Sequence, residues 1–218
     1  MNVVPDPQCA SETVFVVDDD VSFLNAVTRL LRSSGYRVTA FSSAAEFLGQ
    51  LTPDSRGCVL ADLQMPGMDG LQLQEKLAAC KNPLPLVFLT AKGDIPTTVR
   101  AMRAGAEDFL DKLAPKETLF AAIARAFERA ARERERRDRQ HALTERFAAL
   151  SGRELEVLSH VVRGQLNKQI AVDLGINERT VKLHRTSVTR KLGVHSVAEL
   201  TRLVEEAGLF KTTVPPQT

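Results

Sequence analysis

Residues 13–20 read TVFVVDDD, an apolar, β-branched run that ends in three consecutive carboxylates. Such a run fits one buried strand, and the acidic triplet then lies at the carboxyl end of that strand. Later apolar runs likewise end in a polar residue, at Asp62, Thr90 and Lys112. Parallel strands present their carboxyl ends at one edge of a sheet, where ligands bind. The pattern therefore predicts that these polar side chains converge on one crevice.

Short strand-like runs alternate with segments of helical period through the first half of the chain. Apolar residues recur at helical spacing in residues 23–31 and 71–77, and turn signals such as Ser34-Gly35 and Asn82-Pro83 follow. This alternation predicts a flavodoxin-like α/β fold, a five-stranded parallel, doubly wound sheet with helices on both faces. The predicted strands are Thr13–Val17, Arg37–Phe41, Cys58–Ala61, Leu84–Leu89 and Asp108–Leu110.

Length and local charge divide the chain into two parts. Its 218 residues exceed the commonest single-domain size, so two domains with separate cores are expected. Residues 1–127 carry 12 Lys and Arg against 15 Asp and Glu, whereas residues 148–218 carry 10 against 7. The net charge of +2 therefore combines an acidic N-terminal part with a basic C-terminal part.

The cysteines and the apolar segments indicate a compartment. Cys9, Cys58 and Cys80 are odd in number and share no CxxC or metal-ligand spacing, so we expect free thiols in a reducing environment. The first 12 residues have no basic and apolar leader pattern, and no run approaches the ~20 apolar residues of a membrane span. A cytoplasmic protein without membrane contact is expected.

The residue types at the predicted crevice fit phosphoryl chemistry. Crowded carboxylates repel one another, and a hard cation such as Mg²⁺ or Mn²⁺ relieves that repulsion through oxygen ligands. Asp62 can then act as a nucleophile toward a phosphoryl donor, while Lys112 and the Thr90 hydroxyl contact phosphoryl oxygens. Taken singly, such residues are mostly solvated surface groups or caps. Their joint position at four strand ends favours a site.

These motifs together resemble the receiver domain of two-component response regulators over residues 13–127. The resemblance is carried by VVDDD at 16–20, ADLQMPGMDG at 61–70, LTA at 89–91 and DK at 111–112. It implies phosphorylation of Asp62 by a sensor histidine kinase. It also implies Mg²⁺ ligation by Asp19, Asp62 and the Gln64 backbone carbonyl, with Asp18 acting through a coordinated water. The phosphoryl-binding and switch residues it implies are Thr90, Ala91, Phe109 and Lys112.

One position departs from that family's pattern. Receivers usually have a proline directly after the lysine, with a cis peptide that aims the amine, whereas this chain has Leu113. A cis bond before a residue other than proline costs about 2.5 to 4 kcal/mol. We therefore expect either a trans bond with a reshaped loop or a strained cis bond. The geometry at Leu113 decides how well Lys112 reaches the phosphoryl group.

Residues 128–147 are predicted to form a linker helix. Residues 132–141 contain no apolar side chain, and the pairs Glu128/Arg132, Glu133/Arg137 and Glu135/Arg139 stand at i,i+4 with the acid first. A solvated helix is favoured over a nucleic-acid contact, and no heptad pattern supports a continuous coiled coil. Apolar patches flank the charged stretch and could help a dimer form: Leu119, Ile123 and Phe127 before it, and Leu143, Phe147 and Leu150 after it.

The basic C-terminal part of the chain has the pattern of a helix-turn-helix. Ser151-Gly152-Arg153-Glu154 fits a capping box that starts a helix, which Gly164 closes. A short helix is predicted from Asn167 to Leu174. After a turn, Asn177 caps a longer helix that reaches Leu192. A short helix, a turn and a longer helix are typical of a DNA reader.

The longer helix has one apolar face and one basic face. At 100° per residue, Val181, Val188 and Leu192 share the inner face, with Arg185 at its edge. On the outer face, Lys182 can donate to guanine, and Leu183 and Thr186 can contact thymine methyl groups. The alternative is an ordinary solvated amphipathic helix. The candidate DNA-binding residues are Asn167, Lys168, Arg179, Thr180, Lys182, Leu183, Arg185, Thr186 and Arg190.

Residues 148–210 resemble the LuxR-type DNA-binding domain through LSGRE at 150–154, NKQIA at 167–171 and TVKLHR at 180–185. A receiver joined to this domain is similar to the NarL/FixJ class of response regulators, and GDIP at 93–96 and AMRAGA at 101–106 look closest to its FixJ-like branch. The resemblance implies a transcription factor that forms a homodimer on phosphorylation and binds a double-stranded DNA operator, with RNA polymerase as a further partner. Residues 1–12 and 211–218 are expected to be tails.

Two other functions compete with this interpretation. A phosphatase with an aspartyl-phosphate intermediate typically has a second acid two residues after the nucleophile, where this chain has Gln64, so no general acid is supplied. The sequence therefore predicts that the protein is not an enzyme. A constitutive DNA binder with an unresponsive receiver is the other alternative, and only Leu113 favours it.

Overall fold

The computed structural model describes residues 12–80, 83–91 and 93–209. Cys9, Asn82, the expected tail at 211–218 and all but the last residue of the expected tail at 1–12 lie outside the described residues. The chain divides into two compact units, Met1–Arg134 and Glu135–Thr218. The first unit contains the sheet and the second is helical.

Five parallel strands form the sheet of the first unit, in the order β2-β1-β3-β4-β5. This order confirms the predicted doubly wound α/β fold, and the predicted strand ends lie within two residues of the observed ones. The register sets Asp62 beside Leu89 and Thr90 beside Asp111, so the polar strand ends lie at one edge. The strands are Thr13–Val17 (β1), Arg37–Phe41 (β2), Gly57–Asp62 (β3), Leu86–Thr90 (β4) and Asp108–Asp111 (β5).

Alternation along the strands divides the core between the two faces of the sheet. Val14, Leu60 and Leu89 pack against α1 and α5 on one face, whereas Ala61 and Phe88 pack against α2, α3 and α4 on the other. Both faces are covered, which explains why the strands read as continuous apolar runs. The helices are Val21–Ser33 (α1), Ala44–Gln50 (α2), Gly70–Ala78 (α3), Ile95–Arg103 (α4) and Lys116–Ala148 (α5).

Gly57 allows β3 to begin beside β1. Its φ is +137°, and a Cβ atom built there would lie 1.7 Å from the Thr13 carbonyl oxygen. Only glycine tolerates both this backbone conformation and this close approach. The register of the two strands that carry Asp18 and Asp62 therefore depends on a residue without a side chain.

Within the described residues of the second unit, four helices follow the long helix α5. Their bounds are Gly152–Val162 (α6), Asn167–Leu174 (α7), Glu178–Leu192 (α8) and Val197–Ala207 (α9). Ser151 and Glu154 form the predicted capping box, and the Asn177 side chain accepts from the Thr180 amide at the start of α8. Helix α9 was not predicted from the sequence, although Ser196 caps it by accepting from the Glu199 amide.

Helix α5 joins the last helix of the sheet unit to the charged stretch in one element of 33 residues. The suggestion that flanking apolar patches help a dimer form is wrong for the residues named. Leu119, Ile123 and Phe127 belong to the core of the sheet unit, and Phe147 and Leu150 belong to the core of the helical unit. Leu143 is buried as well. None of the described helices is long and apolar enough to cross a membrane.

Candidate phosphoacceptor site and nucleic-acid interface

Three carboxylates converge at the carboxyl ends of β1 and β3. One carboxylate oxygen from each of Asp18, Asp19 and Asp62 lies within 4.8 Å of the others. Asp18 is only 1% exposed and Asp62 is also buried, whereas Asp19 is exposed. Asp20, the last acid of the triplet, faces away from this group because its side chain caps α1, accepting from the Ser22 and Phe23 amides. The structure thus brings together three of the four acids.

Lys112 lies between the two buried acids. Its Nζ is 2.7 Å from Asp18 Oδ2 and 2.8 Å from Asp62 Oδ2, and it stands 4.6 Å from the centre of the Phe23 ring. Burial lowers the pKa of the Lys112 ammonium group, but the contacts with Asp18 and Asp62 outweigh burial and raise it above its ordinary value. Burial raises the pKa of the Asp18 carboxyl group, against the lowering effect of Lys112. The lysine therefore stays charged.

The peptide bond before Leu113 is trans, as are all the other peptide bonds among the described residues. The loop is reshaped by a turn in which Asp111 Oδ1 accepts from the Leu113 amide at 2.7 Å. This turn leaves the Leu113 side chain 92% exposed, while the preceding Lys112 side chain points into the crevice. The alternative of a strained cis bond is therefore wrong, and Lys112 reaches Asp62 without a proline.

An open crevice of about 550 Å³ lies beside the acids, and Asp19 and Gln64 line it. The Gln64 backbone amide donates to Asp62 Oδ1 at 3.4 Å, whereas Asp62 Oδ2 lies 2.8 Å from Lys112 Nζ. Oδ1 is therefore the more weakly bonded of the two carboxylate oxygens. Further polar residues that the sequence analysis did not select also line the crevice. Asp69 lies in the loop after β3, and Asp94 caps the start of α4. Thr97 and Arg100 lie in α4.

The proposed switch residues lie on β4 and β5. Thr90 is buried at the end of β4, and the exposed Ala91 follows it. Phe109 is half-buried, with its ring 5.8 Å from the Phe88 ring. A Cβ atom built on Gly93 would lie 2.7 Å from the Phe109 ring and 3.2 Å from Thr90 Cγ2. The loop after β4 is therefore packed directly against Thr90 and Phe109, the two predicted switch residues.

The donor set fits a hard divalent cation. Three carboxylates face one ammonium group, so the cluster has an excess of negative charge. In addition, the buried Asp18 Oδ2 faces Lys112 Nζ at 2.7 Å without the geometry of a hydrogen bond. Oxygen ligands of this kind suit Mg²⁺ or Mn²⁺. Asp19 and Asp62, with Asp18 beside them, are the residues that would hold the ion.

The outer face of α8 is exposed and basic, as predicted. Lys182 Nζ lies 3.6 Å from Glu178 Oε1 in an exposed ion pair, and Leu183 is exposed between polar neighbours. Lys168 is exposed near the start of α7. The inner face is formed by the buried residues Val181, Val188 and Leu192. Arg179, Thr186 and Arg190 are exposed on α8.

Besides Lys182, three of the candidate DNA-binding residues have side-chain partners among the described residues. Arg185 Nη1 donates to Asn167 Oδ1 at 2.7 Å, which joins α8 to the first residue of α7. The Thr180 hydroxyl donates to Asn177 Oδ1 at 2.9 Å, so it forms part of the cap of α8. These side chains therefore fix the geometry of the helix-turn-helix. The sequence predicted the cap by Asn177, but it did not indicate the hydrogen bond between Arg185 and Asn167.

The helical unit also contains an ion pair between the buried Glu154 and the exposed Lys191, which the sequence did not indicate. Glu154 accepts from Lys191 Nζ at 2.7 Å, from the Ser187 hydroxyl at 2.6 Å and from the Ser151 amide at 2.7 Å. The contact with Lys191, followed by those with Ser187 and Ser151, lowers the pKa of the Glu154 carboxyl group to about 2. The capping acid of α6 therefore also holds α8.

A parallel α/β unit with an acidic crevice, followed by a helix-turn-helix unit, defines a class of DNA-binding regulators controlled through a receiver. Residues 14–124 match the response regulator receiver domain, and residues 148–204 match the bacterial regulatory proteins of the luxR family. The chain belongs to the two-component response regulators of the NarL/FixJ class.

Relatives of similar length share this organisation. The response regulator protein TodT of Pseudomonas putida is 40% identical over 195 residues, which cover 89% of this chain and 86% of TodT. Nodulation protein W of Bradyrhizobium diazoefficiens is 42% identical over 90% of this chain and 86% of its own length. The transcriptional regulatory protein FixJ of Azorhizobium caulinodans is 40% identical over 90% of this chain and 93% of FixJ.

Two solved structures cover both units. The response regulator StyR is 47% identical, with a TM-score of 0.81 over 90% of this chain and 99% of StyR. Full-length FixJ from B. japonicum is 36% identical, with a TM-score of 0.55 over 91% of this chain and 98% of FixJ. The protein is a response regulator with a receiver and a LuxR-type DNA-binding domain, and its relatives are transcriptional regulators.

Proposed function

We propose that a sensor histidine kinase phosphorylates Asp62, and that the phosphorylated protein forms a homodimer that binds a DNA operator and regulates transcription. The contact of Lys112 with both Asp18 and Asp62 is the observation that carries this proposal. It supports a working phosphoacceptor site in spite of the trans bond before Leu113. It also weighs against a constitutive DNA binder with an unresponsive receiver.

The residues of the crevice divide the work of phosphoryl transfer. A carboxylate oxygen of Asp62 forms the bond to phosphorus as the bond from phosphorus to the histidine nitrogen breaks, and the imidazole leaves. Lys112 neutralises one phosphoryl oxygen and the Thr90 hydroxyl donates to another. A bound Mg²⁺ supplies charge neutralisation for the attacking and transferred oxygens. No second acid follows Asp62 at Gln64, so we propose that the aspartyl phosphate is a signal and the protein does not turn over substrate.

We propose α4 as the dimer surface of the receiver. Ile95, Val99 and Met102 recur at i, i+4 and i+7 and are all exposed, with Ile95 at 81%. Helix α4 begins directly after the loop in which Gly93 packs against Phe109 and Thr90. A shift of the switch residues therefore reaches this apolar stripe through one short loop.

The exposed basic face of α8 is the proposed reader of the operator. Lys182, Leu183 and Thr186 are positioned to contact bases, whereas Arg179, Arg190 and Lys168 are positioned for phosphates. We also propose RNA polymerase as a partner of the DNA-bound protein and the cytoplasm as the place of its activity.

The test of the phosphoacceptor is intact mass after exposure to a small-molecule phosphodonor and Mg²⁺. Wild type should gain one phosphoryl group and Asp62→Ala none, and sizing of the same samples should show a shift toward dimer for wild type alone. Absence of added mass on wild type, under conditions that label another receiver, would favour a constitutive DNA binder. Labelling of Asp62→Ala would place the phosphoacceptor elsewhere.

The test of the dimer surface uses charge placed on α4. Ile95→Glu should leave labelling intact and prevent the shift toward dimer, because a carboxylate cannot be buried unpaired in an apolar contact. Val172→Glu, at an exposed valine of α7, is the matched control and should dimerise as wild type does. Equal dimerisation of the Ile95 variant would exclude α4 as the contact.

A further inference from the structure

We propose that Arg185 is a positioning residue, which holds the Asn167 side chain so that its amide N–H groups face a DNA phosphate, and that Arg185 is not itself a DNA contact. This inference rests on the proposed DNA binding of the helical unit. The contact that carries it is the 2.7 Å hydrogen bond from Arg185 Nη1 to Asn167 Oδ1, between two helices and across 18 positions of sequence.

The hydrogen bond assigns the orientation of the Asn167 amide. An asparagine side chain has one oxygen, which accepts, and one NH₂ group, which donates. Arginine has only donors, so its partner atom on Asn167 must be the oxygen. The NH₂ group is therefore left for an external acceptor.

Asn167 occupies a position that suits a phosphate contact. It is the first residue of α7, where the first backbone N–H groups of a helix have no intrahelical partners and favour an anion. An asparagine with the opposite amide orientation would present its oxygen to that anion and repel it. Arg185 prevents this orientation because it has no acceptor to offer the NH₂ group.

Arg185 itself is directed toward the interior. It lines a void of about 20 Å³ together with the core residues Val157, Leu158 and Val188. Arg185 is half-buried, whereas Arg179 and Arg190 on the same helix are exposed. Within the part of the chain that the structure describes, it makes no ion pair with a carboxylate. Its charge is thus available to polarise the Asn167 amide.

The experiment is a double-mutant cycle on DNA binding by the full chain. The variants are Arg185→Gln, Asn167→Ala and both together, titrated against a short duplex of mixed sequence at several salt concentrations. Phosphate contacts do not depend on base sequence, so this duplex reports them. Thermal unfolding of each variant identifies losses that come from destabilisation. If Arg185→Gln fails to fold, Arg185→Met replaces it in the cycle, since methionine has no N–H group to donate to Asn167.

We expect each single variant to bind about tenfold more weakly, the scale of one hydrogen bond to a charged group. The double variant should bind no more weakly than Asn167→Ala alone. The slope of log K against log salt should stay near that of wild type for Arg185→Gln, since no phosphate contact of a cation is lost. Arg190→Gln, the matched control, removes the same charge from the same helix and should add its effect to that of Asn167→Ala.

Two results would overturn the assignment. A slope smaller by about 1 for Arg185→Gln, with a loss that adds to that of Asn167→Ala, would make Arg185 a direct phosphate contact. Unchanged binding by Arg185→Gln would show that the orientation of Asn167 does not matter. Failure of the wild type to bind any duplex would contradict the proposed function instead, so the two failures are distinguishable.

Discussion

Four strand ends far apart in sequence build the acidic crevice, whereas neighbouring turns of α7 and α8 build the basic surface. In the crevice, Lys112 and Asp62 are 50 positions apart and hold each other at 2.8 Å. On α8, Lys182 and its partner Glu178 are one turn apart and exposed. Buried charges depend on their partners, and exposed charges do not. The crevice should therefore be sensitive to changes that leave the DNA-binding surface unaffected.

Gly57→Ala should have the largest effect on the free energy of unfolding. It should also disrupt the crevice, although Gly57 is not a residue of the site. The new Cβ atom would meet the Thr13 carbonyl at 1.7 Å in a backbone region that alanine avoids. Strain and overpacking together should cost about 4 kcal/mol of the unfolding free energy. Urea unfolding measures this loss, and labelling by the phosphodonor should fall with it.

Gly152→Ala is the matched control in the helical unit. A Cβ atom there meets nothing within 4 Å, and its φ is not positive. Its effect should stay within about 1 kcal/mol. A similar small effect for Gly57→Ala would mean that β1 and β3 can shift apart without loss, and that the crevice is not tied to their register.

Lys112→Ala should have the next largest effect. It removes the partner of two buried carboxylates and leaves Asp18 and Asp62 uncompensated, at a cost of about 3 kcal/mol. Added Mg²⁺ should recover part of this stability, since a cation held by the same carboxylates replaces the lost charge. The measurement is urea unfolding with and without Mg²⁺. Equal loss at both conditions would contradict the proposed ion site.

The alternation of strand-like apolar runs with segments of helical period made the sheet predictable. The strand end at Asp62 followed because an apolar run that ends in a charged residue marks where a buried strand stops. The choice between cis and trans before Leu113 could not be made from sequence, since it depends on the turn that Asp111 forms with the Leu113 amide. Helix α9 carried a readable signal, Ser196 followed by Glu199, which the sequence analysis did not use.

Contacts between helices were the other part that sequence could not supply. Helical period placed Arg185 at the edge of the buried face, but it did not indicate that the side chain turns toward Asn167. The same holds for Lys191 and Glu154, which are 37 positions apart. Such pairs depend on how helices pack, and this is set by side-chain volumes across the whole core.

Glu154→Gln should cost about 2 kcal/mol, because the buried Glu154 carboxylate accepts three charge-assisted hydrogen bonds that a neutral amide makes more weakly. Above the unfolded-state pKa of about 4.5, the difference between wild type and variant should be constant. It should shrink as the pH falls toward about 2, the pKa of Glu154 in the folded protein, because the carboxylate is then protonated. Urea unfolding across that range measures it.

The matched control is Glu156→Gln, which breaks an exposed pair with Arg153 in the same helix. Its cost should be below about 0.5 kcal/mol at every pH. A pH-independent difference for Glu154→Gln would show that the loss comes from packing and not from the ion pair.

Lys182→Ala should have no effect on stability beyond about 0.5 kcal/mol, since its contact with Glu178 is exposed. It should nevertheless weaken binding to a specific operator by about 1 to 3 kcal/mol if the lysine donates to a base edge. Titration of an operator selected by the protein from random duplexes, beside an unselected duplex, separates the possibilities. A loss on the operator alone marks base recognition, whereas an equal loss on both marks a phosphate contact. The latter result would move sequence discrimination to Leu183 and Thr186, because they are the neighbouring exposed side chains with groups suited to thymine.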